Sequence, residues 1–135
     1  MSDIIWSEKL SVGIGDIDNQ HKKLVDMLNG LESAYEKKLD TKTQGETIKE
    51  LLTYTLEHFS LEEVLMNKYE YPDKENHIKE HESFHKKVLD FYNAFMRDSA
   101  TLSEDIIKFL QNWIVNHILV TDHKYIDFFH SKGVK

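Results

Sequence analysis

Residues 77–88 read His-Ile-Lys-Glu-His-Glu-Ser-Phe-His-Lys-Lys-Val. His77 and His81 are four residues apart, and Phe84 and Val88 continue the same spacing. On an α-helix these steps of three and four put all four side chains on one face. The face that should bury the apolar residues thus also carries two imidazoles. The spacing predicts a helix from about Lys74 to Arg97, with Phe91 and Phe95 in phase. Pro72 closes the preceding connection, and Asp73 is its expected cap.

The same pattern recurs on both sides. A first helix is predicted from about Asp16 to Lys38, capped by Asp16 or Asp18, with a stripe of Ile17, Leu24, Leu28, Leu31 and Tyr35. His21 lies on that stripe. A second is predicted from about Thr43 to Lys68, opened by a Thr43/Glu46 capping box. Its stripe is Ile48, Leu51, Leu52, Thr55, Phe59, Leu65 and Met66, with His58 and Glu62 interleaved. A fourth begins near Ser103, carries Ile106, Leu110, Trp113 and Ile114, places His117 one turn later, and ends near Asp122. An aromatic tail follows through Tyr125, Phe128 and Phe129. Ahead of the first helix, an arm over about residues 1–15 carries Trp6, Leu10, Val12 and Ile14 with Gly13 and Gly15, the mark of an extended strap. No segment has a sustained strand period. The expected fold is all-α: an up-down-up-down four-helix bundle with an N-terminal arm and a short C-terminal helical tail.

Length and composition narrow the function. The 135 residues make one domain, 1–135. Seventeen basic against 24 acidic side chains leave a net charge of −7, against a nucleic-acid partner. The absence of cysteine removes disulfides, thiolate metal sites and cysteine nucleophiles. Unbroken apolar runs stop at three residues, too short for a membrane span or a secretory signal. Both absences point to a cytoplasmic protein.

Each predicted helix therefore turns ligand-type side chains inward: His21, His58 with Glu62, His77 with His81, and His117. Buried imidazoles and carboxylates are costly unless paired or bound to metal. Pairs four residues apart project together and can share an ion. Imidazole nitrogen with carboxylate oxygen suits iron, zinc or manganese. Two enzyme readings compete. His81-Glu82-Ser83-Phe84-His85 fits H-E-x-x-H, which would make His81 and His85 zinc ligands and Glu82 the base of a metalloprotease. It leaves the other four inward histidines and Glu62 unexplained. A ferritin-like oxidase needs two Glu-x-x-His pairs, and only Glu82-x-x-His85 fits. His85 is read at the stripe's edge, His123 and His130 as surface or tail residues, and Phe128-Phe129 as packing on the bundle.

The series His21, His58-x-x-x-Glu62, His77-x-x-x-His81, His117-x-x-x-x-Asp122 resembles the ligand set of the hemerythrin family. Trp6, Val12-Gly13, Ile17-Asp18, Gln20-His21-Lys22 and Trp113-Ile114-Val115-Asn116-His117 resemble its single-domain bacterial branch. The resemblance covers nearly the whole chain. It implies two non-haem iron ions joined by an oxo or hydroxo bridge, with O2 as ligand. It gives His77, His81 and His117 to one iron and His21 and His58 to the other, with Glu62 and Asp122 bridging. Counting bonds then leaves one octahedral position open, on the iron with two histidines. Five residues separate His117 from Asp122, about 140° of an ideal helix. The fourth helix should therefore distort or end between them, as a π-type bulge would do. An O2 pocket is expected at Phe59, Trp113 and Ile114, with Ile114 as gate. The implied function is reversible O2 binding for carriage, storage or delivery, not enzymatic. The implied partners are O2 and an oxygen-consuming enzyme, and the expected state is a monomer. The alternatives are a di-iron sensor, which would usually carry an output domain, and an oxidase-type enzyme.

Overall fold

A computed structural model describes residues 4–135, so the first three residues of the predicted arm lie outside it. Four helices form the bundle: α1 (Gly15–Glu36), α2 (Thr41–Lys68), α3 (Lys74–Met96) and α4 (Glu104–Asn116). A π-turn over His117–Thr121 and a 3-10 turn over Asp122–Tyr125 then lead into α5 (Ile126–Ser131). No strand occurs among the described residues. Helix α2 packs against α1 and α3, α1 against α4, and Phe84 of α3 stacks on Trp113 of α4 with centroids 4.1 Å apart.

The helix starts differ from expectation in instructive ways. Neither Asp16 nor Asp18 caps α1; Ile14 holds that position without a side-chain bond. Asp18 instead reaches back to the arm, accepting from Val12 N–H at 2.8 Å and Ser11 Oγ at 2.6 Å. The carboxylate thus fastens the strap and buries Leu10, Val12 and Ile14. The Thr43/Glu46 box gives way to Asp40, which accepts from Thr43 N–H at 2.7 Å and starts α2 two residues early. A carboxylate caps better than a threonine and complements the positive helix end. Asp73 makes no cap bond; it takes the Asn76 side chain instead. Ser103 does cap α4, accepting from Ile106 N–H. Along α4 the buried face holds Ile107 and Gln111, whereas Ile106 and Trp113 are half-buried. Gln111 donates to Glu32 at 2.6 Å, a polar bridge between α1 and α4 inside the apolar core.

The apolar core falls into two clusters. The larger runs through the bundle and includes Leu24, Leu28, Phe59, Phe84, Val88 and Ile114. The smaller closes one pole: Val12, Ile14, Ile17, Met66, Tyr71, Tyr125 and Phe129. The arm and tail meet there. His130 Nε2 donates to Gly13 O at 3.0 Å, and Gly13, at φ 70°, lies so close that a Cβ would sit 2.8 Å from the His130 ring. Only glycine fits that approach. As expected, Phe128 and Phe129 pack on the bundle.

Candidate metal centre

The candidate ligands occupy the level between the two clusters. On α1, His21 follows Ile17 of the smaller cluster and precedes Leu24 of the larger. On α2, Glu62 lies between Phe59 and Met66 in the same way. The helical period therefore forces one polar layer across an otherwise apolar interior. All seven side chains are at most 4 % exposed.

Their ligand atoms converge in two groups: Glu62, His77, His81, His117 and Asp122, and His21, His58, Glu62 and Asp122. Glu62 and Asp122 belong to both. The five-residue step to Asp122 is accommodated as the spacing required. The π-turn at His117–Thr121 inserts the extra residue, and the following 3-10 turn starts at Asp122. His123, expected at the surface, is half-buried, and its Nδ1 meets Ile118 O, a carbonyl of that turn, at 2.6 Å.

The donor set fits a metal. His21 Nε2 faces His58 Nε2 at 2.9 Å, and His81 Nε2 faces His117 Nε2 at 3.1 Å. Asp122 lies 3.0 Å from His77 and 3.1 Å from both His117 and His21. Glu62 Oε1, His77 Nε2 and both Asp122 oxygens are buried without a hydrogen bond. Such orphaned lone pairs are expensive unless a cation meets them. Donors about 2.1 Å from one ion are about 3.0 Å apart at right angles and about 3.4 Å apart on a tetrahedron. Glu62 Oε1 adds spacings of 3.2 Å to His58 and 3.3 Å to His81, so neighbouring donors stand at the separations of side chains gathered around a shared ion.

In the metal-free chain, burial pushes both carboxyls up, yet the surrounding histidines outweigh it and hold Glu62 and Asp122 below the usual carboxylate range. Burial pulls His58 down. It pulls on His81 too, but Glu62 and Glu63 beside the ring win and raise it to about 9. Asp122 likewise raises His117 against burial.

Four supporting residues escaped the sequence reading of the site. Gln20 Oε1 meets His58 Nδ1 at 2.8 Å, Glu63 Oε2 meets His81 Nδ1 at 2.9 Å, and Glu80 Oε1 meets His117 Nδ1 at 3.2 Å. Each is the chain neighbour of a candidate ligand and braces the histidine of the next helix. Tyr125, read only as part of the tail, is fully buried and donates to Glu62 Oε2. Phe59 stacks on His81 at 3.8 Å and Trp113 on His117 at 4.5 Å, so both rings lie against the three-histidine group. Ile114 is 2 % exposed, within the larger cluster. The H-E-x-x-H pair is not assembled. His81, Glu82 and His85 all line a surface groove of about 170 Å³, but only His81 is buried and joins a ligand group, whereas Glu82 is exposed and His85 half-buried. Neither ligand group among the described residues includes His85.

Fold and site together define a four-helix-bundle protein with a buried histidine–carboxylate cluster that could hold metal. The family model of the Hemerythrin HHE cation binding domain matches residues 12–129. The chain is 36% identical over 127 residues to a bacteriohemerythrin of Pseudomonas aeruginosa (strain LESB58), covering 94% of this chain and 82% of that one. It is 30% identical over 120 residues to a hemerythrin-like protein of Naegleria gruberi, covering 89% and 88%. A crystal structure of wild-type hemerythrin superposes with a TM-score of 0.86 at 29% identity, over 92% of this chain and 95% of that one. The chain belongs to the hemerythrin family.

Proposed function

We propose that the chain holds two iron ions and binds O2 reversibly as a non-enzymatic carrier or store. The observation that carries this reading is the pair of ligand groups sharing Glu62 and Asp122. His77, His81 and His117 would hold one iron, His21 and His58 the other, and the shared carboxylates would bridge them. When bound, a ferrous pair supplies the two electrons that reversible O2 capture draws on.

The chain's own contribution is to orient and to exclude water. Gln20, Glu63 and Glu80 fix the tautomer and ring plane of three histidines through Nδ1, leaving Nε2 for the metal. Phe59 and Trp113 hold His81 and His117 by stacking. Ile114 is the proposed gate between the site and the apolar interior. Among the described residues no helix is long and apolar enough to cross a membrane. A cytoplasmic monomer that delivers O2 to an oxygen-consuming enzyme fits these features. The test is an anaerobic ferrous preparation titrated with O2 while visible absorption and iron content are followed. Two irons and one O2 per chain, released on lowering the O2 pressure, are expected. One iron per chain, or no reversible change in absorption, overturns the proposal.

A further inference from the structure

The residues behind the histidines differ in charge between the two ligand groups. In the three-histidine group, His81 and His117 each present Nδ1 to a carboxylate, Glu63 at 2.9 Å and Glu80 at 3.2 Å. Glu80 is itself held in place, since Thr121 Oγ1 donates to the same oxygen at 2.9 Å. In the two-histidine group, His58 presents Nδ1 to the neutral amide oxygen of Gln20 at 2.8 Å, and His21 Nδ1 is buried with no partner. A carboxylate behind an imidazole makes its far nitrogen a stronger donor and locks its orientation; a neutral acceptor does this less.

We propose that Gln20, Glu63 and Glu80 grade the two metal positions, making the three-histidine position the tighter one, so that the ions leave in a fixed order with the two-histidine ion first. The inference rests on the di-iron reading above and adds to it a function for three residues that touch no metal. They are positioning residues. Their choice of charge, beyond the count of three histidines against two, sets the gap between the positions. The order has a use. The position given the open coordination site is the one that can lose its ion, releasing only the α1 ligand His21 and the α2 ligand His58, while the other metal keeps α2, α3 and the turns after α4 joined through Glu62, His77, His81, His117 and Asp122.

The test withdraws metal from the intact chain loaded with cobalt(II), whose visible absorption changes with its ligands. A competing chelator is added stepwise, and bound cobalt is measured alongside the spectrum. In the unsubstituted chain two separate losses are expected. His21→Ala should remove the weaker step and His77→Ala the tighter one, which assigns them. Glu63→Gln and Glu80→Gln keep shape and remove charge; each should weaken the tighter step by about 10–100-fold and narrow the gap. Gln20→Glu should strengthen the weaker step by about tenfold and leave the tighter one unchanged. An equal gap in the unsubstituted chain and all three outer variants overturns the grading while two cobalt ions per chain leave the di-metal reading standing. A single cobalt ion per fully loaded chain overturns that reading, and the grading with it.

Discussion

Tyr125 donates its hydroxyl proton to Glu62 Oε2 at 2.5 Å while its ring lies parallel to that of His77, centroids 5.6 Å apart. One side chain from the 3-10 turn thus fixes a shared carboxylate of α2 and a histidine of α3. Burial and the two nearby carboxylates push the Tyr125 hydroxyl well above its ordinary range, so it remains a donor. Tyr125→Phe keeps the stack and deletes the bond. Loss of a hydrogen bond to a charged group should lower stability by about 1.5–3 kcal/mol, with two metal ions still bound. Denaturant unfolding with metal analysis checks both, and unchanged stability would refute the role.

Ligands and histidine neighbours should separate cleanly. His58→Ala or His81→Ala should lose metal or hold it weakly. His85→Ala and His130→Ala should keep both ions. His123→Ala should also keep them but cost about 0.5–1.5 kcal/mol, because Ile118 O in the π-turn loses its partner. Metal content after gel filtration, with thermal melts, decides. Loss of metal in His85→Ala with retention in His77→Ala would restore the metalloprotease reading.

Ile114→Ala tests the gate. Truncating a buried isoleucine should cost about 2–5 kcal/mol and open space in the larger cluster, one turn before His117. Faster decay of the oxygenated spectrum is expected at fixed pH and anion concentration, with iron content intact. An unchanged decay rate in a folded, fully loaded variant would remove Ile114 from that role.

The metal-free chain should show an unusual pH dependence. His81 rises from its ordinary 6.5 to about 9, and His117 is also raised. A raised histidine stabilises the fold below pH 6.5 and loses that contribution as pH climbs through its folded value. Glu62 and Asp122 are lowered, so their contribution is present above the ordinary carboxylate range and fades in acid. Melting temperature without metal should therefore fall between pH 6.5 and 9. Over the same interval metal affinity should rise, because the ion displaces those protons. A flat melting profile across that interval would contradict this account.

The bundle and the inward histidines were legible because both depend on periodicity. Ile17, His21, Leu24 and Leu28 announce one face whatever surrounds them. The distortion after His117 was legible too, once Asp122 was included, because five residues do not close on a helical turn. The helix bounds were legible to within two residues for α1, α2 and α3, but the groups that cap and close them were not. Lys38, Glu70 and Asp98, at φ 52°, 58° and 58°, take the left-handed positions where glycine is usual, and the backbone closes after each regardless. Gln20, Glu63 and Glu80 stayed hidden because each serves a histidine on another helix, and sequence spacing says nothing about contacts between helices. Glu32 and Gln111 break the apolar phase of their helices and meet through a single bond, Gln111 to Glu32 Oε2, which leaves Glu32 Oε1 buried without a partner.

The polar layer has a consequence for how the molecule comes apart. It separates the long core from the small one at the pole, so across it the helices adhere through their ligands rather than through oily contact. With metal bound, that seam is a rivet joining all four helices and the 3-10 turn. Without it, the pole built from the arm, Tyr71, Tyr125 and Phe129 rests on a thin apolar cap and a few hydrogen bonds, and should be the first unit to open. Metal status should therefore register as the accessibility of one end of the bundle, away from the centre itself.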